Sequence, residues 1–417
     1  MVCKKLSLKN MWSLLNKAKW LLSGNILFAF SQWLMLIMFS HFSSPTQLGY
    51  YSYALAITAP IFMLFNLQLR PLVVADLNLE KKFSFSEYLS LRLLTTFCAI
   101  IVSLFFIDWN NNLALSIVLI VVFIKSSEAV SDIVYAYYNA NKKTKFISKS
   151  LTIKSILVTV SSFCILYMMH NIVYALIAML IGYLLILVFL DIRKNIEHLQ
   201  EVNVFNKNLK KIVQTGLPLG IAVMLVSLQT NIPRYFLEHY SSVELVGVYT
   251  ILYYFIVIGG IVINSVCQYL SPYFSEFYRD LRIEELKRII KNAFFIALSL
   301  GVAGLVISLF LNDFIIKTIY GKDYLAYAYL LPYIMIAGIF TYLSVVNGYL
   351  LTSLKLLKIQ MPVFLILVCL TVIYSYLLIP VYGLTGAIYT TILSAVSQFL
   401  ISSFIIYTKI QELTRDV

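Results

Sequence analysis

The sequence predicts an all-α integral membrane protein with twelve transmembrane helices, and three observations lead to this class. Of the 417 residues, 61% are hydrophobic and only 12% are charged, whereas soluble globular proteins carry about 25% charged residues. Apolar runs of about 20 residues, the length a helix needs to cross a bilayer, recur along the whole chain. Lys and Arg residues are concentrated in alternate loops, which is typical of polytopic membrane proteins.

The apolar runs set the predicted domain organisation. They lie at 20–42, 48–69, 89–107, 113–138, 151–169, 171–190, 213–238, 246–270, 292–311, 327–350, 361–379 and 384–406. The longest polar connection falls near the middle of the chain and separates two sets of six spans. We therefore expect an N-terminal six-helix lobe at 1–190, a cytoplasmic linker at 191–212, a C-terminal six-helix lobe at 213–406 and a cytoplasmic tail at 407–417.

The distribution of basic residues predicts the topology. Of the 32 Lys and Arg residues, Lys317 and Lys322 fall in one set of loops and Lys125 and Arg234 fall within spans. All the others, which in this count include Arg92 and Lys154, are assigned to loops on the side of the N-terminus. The positive-inside rule then places both termini in the cytoplasm. The net charge of +13 is explained by this topology and by contact with anionic lipid head groups, so it does not indicate nucleic acid.

A short internal repeat supports two related lobes. Residues 42–52, FSSPTQLGYYS, match residues 240–250, YSSVELVGVYT, without a gap. Because each lobe has an even number of spans, a duplication predicts parallel repeats related by a pseudo-two-fold axis along the membrane normal. The alternative is that both segments are independent examples of a common corner between two helices.

The fourth predicted span carries the clearest candidate site. Lys125, Glu128 and Asp132 are spaced by three and four residues, so they share one face of a helix. A charge near the centre of a span costs about 2.5 to 3.5 kcal/mol on insertion scales, and such residues usually face a bundle interior or a wet cavity. The alternative is a structural Lys125–Glu128 pair within one helix. That pair would still leave the charge of Asp132 unbalanced.

Two other spans contribute candidate substrate-binding residues. Span seven carries Gln229, Asn231 and Arg234, and Arg234 either faces a cavity, reaches outward to the membrane surface or pairs with Glu238 one turn on. Arg70 lies at the cytoplasmic end of span two. It is either an ordinary topology anchor or a guanidinium placed to receive a diphosphate.

Several classes of function are excluded or disfavoured by motifs that the sequence lacks. It contains no Walker-type phosphate loop, no zinc-binding His-Glu pattern and no Gly-x-Ser-x-Gly elbow. The five cysteines show no paired spacing, and the lysine-rich N-terminus leads into a full span with no cleavage site for a signal peptidase. We therefore predict no catalytic residues, no metal site, no cofactor and no transport driven by ATP bound to this chain.

Three stretches carry a resemblance to a known family. They are residues 217–255, LPLGIAVMLVSLQTNIPRYFLEHYSSVELVGVYTILYYF, the segment GKDYLAYAYLL from Gly321 and the segment YGLTGAIYTTILSA from Tyr382. Together with the duplicated six-span organisation, they resemble the O-antigen flippases (Wzx-type) and capsule exporters. These form the polysaccharide branch of the multidrug/oligosaccharidyl-lipid/polysaccharide exporter superfamily. The resemblance covers essentially the whole chain.

The resemblance implies a fold, a substrate and partners. The two lobes would form a V around a central cavity in the bacterial inner membrane. The substrate would be an undecaprenyl-diphosphate-linked oligosaccharide, moved by alternating access from the cytoplasmic to the periplasmic leaflet. Membrane lipids, a glycan polymerase and chain-length proteins are the partners it implies. In this scheme Arg70, Lys125 and Arg234 would contact the diphosphate, and Asn231 and Gln229 would line the cavity.

The coupling role is assigned to the carboxylates of span four. Glu128 and Asp132 would balance Lys125 or take up a coupling ion, H⁺ or Na⁺. Relatives often have an acidic residue just before the arginine of span seven, but this sequence has Pro233 there, which argues against simple ion coupling at that position.

Two other functions remain open from the sequence. A cation-coupled multidrug antiporter would share the architecture, but it would favour an acidic, aromatic cavity without central cations. A membrane-embedded glycan polymerase or acyltransferase would usually show a large external loop or catalytic His and Asp residues.

Overall fold

Most helices of the described residues are 15 residues or longer. In a computed structural model, residues 8–77, 82–193, 202–203 and 206–415 are described, and no β-strand occurs among them. The α-helices are Leu8–Phe42 (α1), Pro45–Phe65 (α2), Leu69–Ala75 (α3), Phe85–Leu104 (α4), Asn112–Ala140 (α5), Thr144–Met169 (α6), Ile172–Ile186 (α7), Asn208–Tyr240 (α8), Val243–Arg279 (α9), Ile283–Ile319 (α10), Leu331–Ser353 (α11) and Leu357–Arg415 (α12). A π-helical turn, Leu187–Ile192, follows α7, and a 3₁₀ segment, Lys322–Leu330, precedes α11.

The count of membrane-spanning helices agrees with the sequence prediction. Eleven stretches of the described chain are long and apolar enough to cross a bilayer, and the last of them covers Lys358–Leu413. That stretch contains two spans, because Gly383 breaks α12 with a left-handed φ of 55°, a conformation that glycine adopts without a steric cost. The all-α, twelve-span class is therefore confirmed, and the chain is a multi-pass membrane protein.

The repeated sequence motif forms the same local structure twice. Ser44 caps the N-terminus of α2 and accepts a hydrogen bond from the backbone N–H of Gln47. Ser242, its counterpart in the repeat, caps α9 and accepts from the backbone N–H of Leu245. In each case the serine oxygen satisfies an N–H group that has no partner inside the helix.

The chain forms two compact units, Met1–Met224 and Leu225–Val417. In the first unit α1 packs on α6, α6 packs on α7, and α5 contacts α2, α3, α4 and α7. In the second unit α11 is central and packs against α9, α10 and α12. The predicted limits of the lobes stay a prediction, and positions 194–201 and 204–205 of the predicted linker lie outside the described residues.

Two irregular segments of the first unit shape its interior. Between α2 and α3, Leu67 and Gln68 both have left-handed backbones, with φ of 49° and 50°, so the chain breaks direction between Asn66 and Arg70. At the end of α7, the π-helical turn places Asp191 in the interior with 0% of its surface exposed. Both features bring polar side chains into the interior of the first unit.

Candidate functional site

A polar cavity of about 280 Å³ lies inside the first unit. Its wall is built from α1, α2, α3, α5 and α6. Three cations and two carboxylates line it together with amide, hydroxyl and apolar side chains: Asn25, Phe28, Ala59, Phe62, Met63, Asn66, Arg70, Lys125, Glu128, Ala129, Ser131, Asp132, Tyr135, Leu151 and Lys154. Since charged groups inside a membrane-spanning unit are costly, this cavity is the candidate functional site.

Helix α5 contributes the largest share of the wall. It begins at a cap in which Asn111 accepts hydrogen bonds from the N–H groups of Leu113 and Ala114, each at 3.1 Å. The three- and four-residue spacing then places Lys125, Glu128 and Asp132 on the face of α5 that lines the cavity. The structure therefore brings together the charged residues that the sequence pattern grouped.

Lys125 and Glu128 form an ion pair one turn apart on α5. The ammonium of Lys125 donates to Glu128 Oε2 at 2.7 Å, and 27% and 23% of the two side chains are exposed. The pair that the sequence left as an alternative thus exists. It lies on the cavity wall, so the same two residues are also open to a ligand.

Asp132 is shared by two arginines. Arg70 Nη1 lies 3.1 Å from one carboxylate oxygen, and Arg92 Nη2 lies 3.4 Å from the other. Arg92 is completely buried in α4 and also donates a hydrogen bond from Nη1 to the side-chain oxygen of Asn66. Asn66 and Arg70 flank the left-handed turn after α2, so this network fixes the turn against α4 and α5.

Helix α8 also packs against the turn after α2. A side-chain carbon added at Gly216 would lie 2.7 Å from the backbone oxygen of Leu67, and one added at Gly220 would lie 2.7 Å from that of Leu64. These contacts leave no room for a larger residue. Helix α8 therefore packs directly on the backbone that carries Asn66 and Arg70.

A second buried pair lies behind the cavity. The Lys154 ammonium lies 3.7 Å from Asp191 Oδ2, with 2% and 0% of the side chains exposed. It donates to Ser131 Oγ at 2.9 Å and to the Tyr135 hydroxyl at 3.2 Å. Asp191 in turn accepts from Ser131 at 2.8 Å and from Ser150 at 2.7 Å. Every member of this network has partners, as buried charges require.

Three residues of this cluster were missed by the sequence analysis. Arg92 and Lys154 were counted as loop cations, and this assignment is wrong because both are buried inside α4 and α6. The predicted linker begins at Asp191, but the π-helical turn places this residue in the interior. The residues next to each cation indicate burial. Arg92 follows Leu89, Ser90 and Leu91, and Lys154 lies between apolar and hydroxyl residues, unlike the lysines at 142–149.

The remaining predicted residues lie in the second unit, where they form a different environment. Gln229 lines a cavity of about 50 Å³ together with Tyr249, Thr391 and Gln398, and its amide donates to Gln398 at 3.2 Å. Arg234 is 9% exposed and is not among the residues that line this small cavity.

The partners of Arg234 are neutral. Its Nε donates to Thr250 Oγ1 at 3.2 Å, and its Nη1 donates to the side-chain oxygen of Asn231. The guanidinium carbon lies 5.5 Å from the Tyr249 ring centroid and 5.3 Å from that of Tyr253. Arg234 is thus stabilised by cation–π contacts and two hydrogen bonds within its own unit.

Among the described residues, no group of three or more His, Cys, Asp and Glu side chains is placed so that it could hold a metal ion.

Comparisons with known proteins show the family of the chain. A family model described as "Polysaccharide biosynthesis protein" matches residues 14–278. The capsular polysaccharide biosynthesis protein CapF of Staphylococcus aureus is 30% identical over 393 residues, which are 93% of this chain and 97% of that protein.

Solved structures of multidrug resistance MATE family transporters of the MOP superfamily share the fold. An inward-facing structure has a TM-score of 0.65 at 13% identity, covering 94% of this chain and 95% of the other. An outward-facing structure has a TM-score of 0.62 at 14% identity, covering 96% and 97%. The resemblance to the polysaccharide branch of this superfamily is confirmed: the chain belongs to the polysaccharide biosynthesis protein family and has the fold of the MOP-superfamily transporters.

Proposed function

We propose that this protein is a flippase for an undecaprenyl-diphosphate-linked oligosaccharide. It moves this substrate from the cytoplasmic to the periplasmic leaflet of the bacterial inner membrane, and both termini of the protein lie in the cytoplasm. The observation that carries the proposal is the cavity of the first unit, where Arg70, Lys125 and Lys154 line an open volume within a set of membrane-spanning helices. Intramembrane charges of this kind usually mark the path of a polar substrate.

The chemistry of the substrate fits the groups that line this cavity. A diphosphate and its sugars cannot enter hydrocarbon without losing the hydrogen bonds that water gives them. Guanidinium and ammonium groups can replace water around the phosphate oxygens, and the amides of Asn25 and Asn66 can bind sugar hydroxyls. The polyprenyl chain needs no such replacement and would stay in the lipid.

The family relationship supports a surface glycan as cargo. The S. aureus relative is named for capsular polysaccharide biosynthesis, and oligosaccharides built on a lipid carrier must cross the membrane before they reach the cell surface. A glycan polymerase and chain-length proteins would act on the product. We propose no catalytic step for this chain itself.

Transport would proceed by alternating access, with energy from an ion gradient or from consumption of the product. If an ion couples transport, H⁺ or Na⁺ would bind at Glu128 or Asp132. Each of these carboxylates already has a cationic partner, so a coupling ion must displace or weaken that pair.

The test is the position of the lipid-linked intermediates in a deletion strain. Single repeat units on the lipid carrier should accumulate in the cytoplasmic leaflet, and expression of the full chain should return them to the periplasmic leaflet and restore surface glycan. Units that reach the periplasmic leaflet but stay unpolymerised would instead identify a polymerase. Normal glycan with increased sensitivity to cationic drugs would identify a multidrug antiporter.

A further inference from the structure

The charges around the first cavity do not cancel. Lys125 pairs with Glu128 and Lys154 pairs with Asp191, so each of these pairs is neutral. The remaining group is a trio in which Arg70 and Arg92 share the single carboxylate of Asp132. The surplus positive charge of the cluster therefore belongs to this trio.

Each arginine of the trio contacts a different carboxylate oxygen of Asp132. Arg70 contacts one carboxylate oxygen at 3.1 Å, and Arg92 lies 3.4 Å from the other. Arg70 therefore contacts only one of the two oxygens of Asp132, and it does not form the two-pronged pair that is frequent between arginine and carboxylate. The guanidinium of Arg70 keeps N–H groups that no carboxylate of the described residues accepts.

The two arginines differ in their access to the cavity. Arg92 is 0% exposed and is not part of the cavity wall, whereas 30% of the Arg70 side chain is exposed and lines it. Of the two arginines, only Arg70 can contact a ligand in the cavity. Arg92 can act on such a ligand only through its charge and through the positions of Asp132 and Asn66, both of which it contacts.

We propose that Arg70 is the phosphate-binding group of the cavity and that Arg92 is the positioning residue that prevents Asp132 from neutralising it. The proposal rests on the proposed function, since it concerns how the same cavity binds a diphosphate. It makes Asp132 a shared counter-ion whose charge is divided between a buried arginine and an exposed one. Removal of Arg92 would turn Asp132 fully toward Arg70 and cancel the surplus charge.

This division predicts an order of affinities that a purely structural role for Arg92 would not produce. The trio carries one surplus positive charge in the native chain, none in Arg92→Gln, one in the double variant Arg92→Gln/Asp132→Asn, and two in Asp132→Asn. Affinity for an anion should follow this charge. The double variant should therefore bind better than Arg92→Gln, although it has lost more native interactions.

The experiment is titration of the purified full-length protein in detergent with farnesyl diphosphate, with farnesol as the uncharged reference. Arg92→Gln should weaken binding of the diphosphate at least about tenfold, because one charge is lost from a site of low dielectric. The double variant should return to within about threefold of the native protein, and Asp132→Asn should bind more tightly than the native protein. Binding of farnesol should not change in any of them.

Two further variants separate charge from folding. Arg92→Lys keeps the positive charge and should keep most of the affinity for the diphosphate. This variant can still be measured if Arg92→Gln does not fold. Arg288→Gln removes an exposed arginine of α10 and should leave binding unchanged.

The outcomes distinguish the two proposals. If the native protein binds the diphosphate no better than farnesol, both the diphosphate substrate and this role of Arg92 are wrong. If the native protein prefers the diphosphate but Arg92→Gln binds it equally well, or Asp132→Asn fails to tighten binding, only the role of Arg92 is overturned.

Discussion

The two units of this chain each bury arginine within the membrane, but they use its charge in different ways. In the first unit, Arg70 and its neighbouring ion pairs line a cavity of about 280 Å³. In the second, Arg234 lies beside two tyrosine rings and two neutral hydrogen-bond acceptors, and it does not line the neighbouring cavity of about 50 Å³. A buried cation marks a binding site only where its charge reaches an open volume.

The difference follows from the residues that surround each cation. Carboxylates lie next to the cations of the first unit, so Arg70 and Lys125, which line the cavity, can exchange their partners for a ligand. Tyr249, Tyr253 and Thr250 solvate Arg234 from within the helix bundle. We therefore expect changes in the first unit to affect substrate transport most, and changes around Arg234 to affect mainly stability.

The largest effect on stability should come from the buried pair behind the first cavity. Lys154→Met leaves the carboxylate of Asp191 buried without its cation, and removal of one partner of such a pair typically costs about 3 to 5 kcal/mol. Thermal unfolding of the purified protein measures this loss. The double variant Lys154→Met/Asp191→Asn should lose less than the sum of the two single variants, and strict additivity would show that the two residues are not coupled.

The largest effect on transport should come from Lys125. Lys125→Ala removes a partly exposed cation from the cavity wall and leaves Glu128 without its ion-pair partner. Surface glycan in a deletion strain should be abolished while the protein stays in the membrane at its normal level. Lys149→Ala is the matched control, since Lys149 is an exposed residue of the neighbouring helix α6. Unaltered glycan in Lys125→Ala would remove this lysine from the mechanism.

Arg234 should give a smaller effect of a different kind. Arg234→Met keeps an unbranched apolar stem but loses the guanidinium, its two hydrogen bonds and its cation–π contacts, the last of which are worth about 0.5 to 2 kcal/mol. The unfolding temperature should fall, and glycan export per folded molecule should stay well above that of Lys125→Ala. Export as low as in Lys125→Ala, with normal stability, would show that the charge of Arg234 reaches the substrate and that the two units do not differ as the structure indicates.

Much of this organisation could be predicted from the sequence, because the membrane imposes strong rules. The length of the apolar runs predicts the spans, and the three- and four-residue spacing predicts that Lys125, Glu128 and Asp132 share one face. The partners of Asp132 could not be predicted, since Arg70 and Arg92 come from other helices and a single sequence carries no record of those contacts. The positive-inside rule assigned Arg92 and Lys154 to loops, although both are buried within helices. The rule counts basic residues near the ends of spans and does not distinguish those whose side chains lie in the protein interior.

The smallest expected effects concern two left-handed backbone positions, one in each unit. The position in the second unit is a glycine, Gly383 with φ of 55°, whereas the position in the first unit is Gln68 with φ of 50°. A non-glycine residue in this region costs about 1 to 2 kcal/mol. Gly383→Ala should therefore lower the unfolding temperature and Gln68→Gly should raise it slightly. If Gln68→Gly instead lowers it, the glutamine side chain contributes more to the turn beside Arg70 than its backbone strain costs.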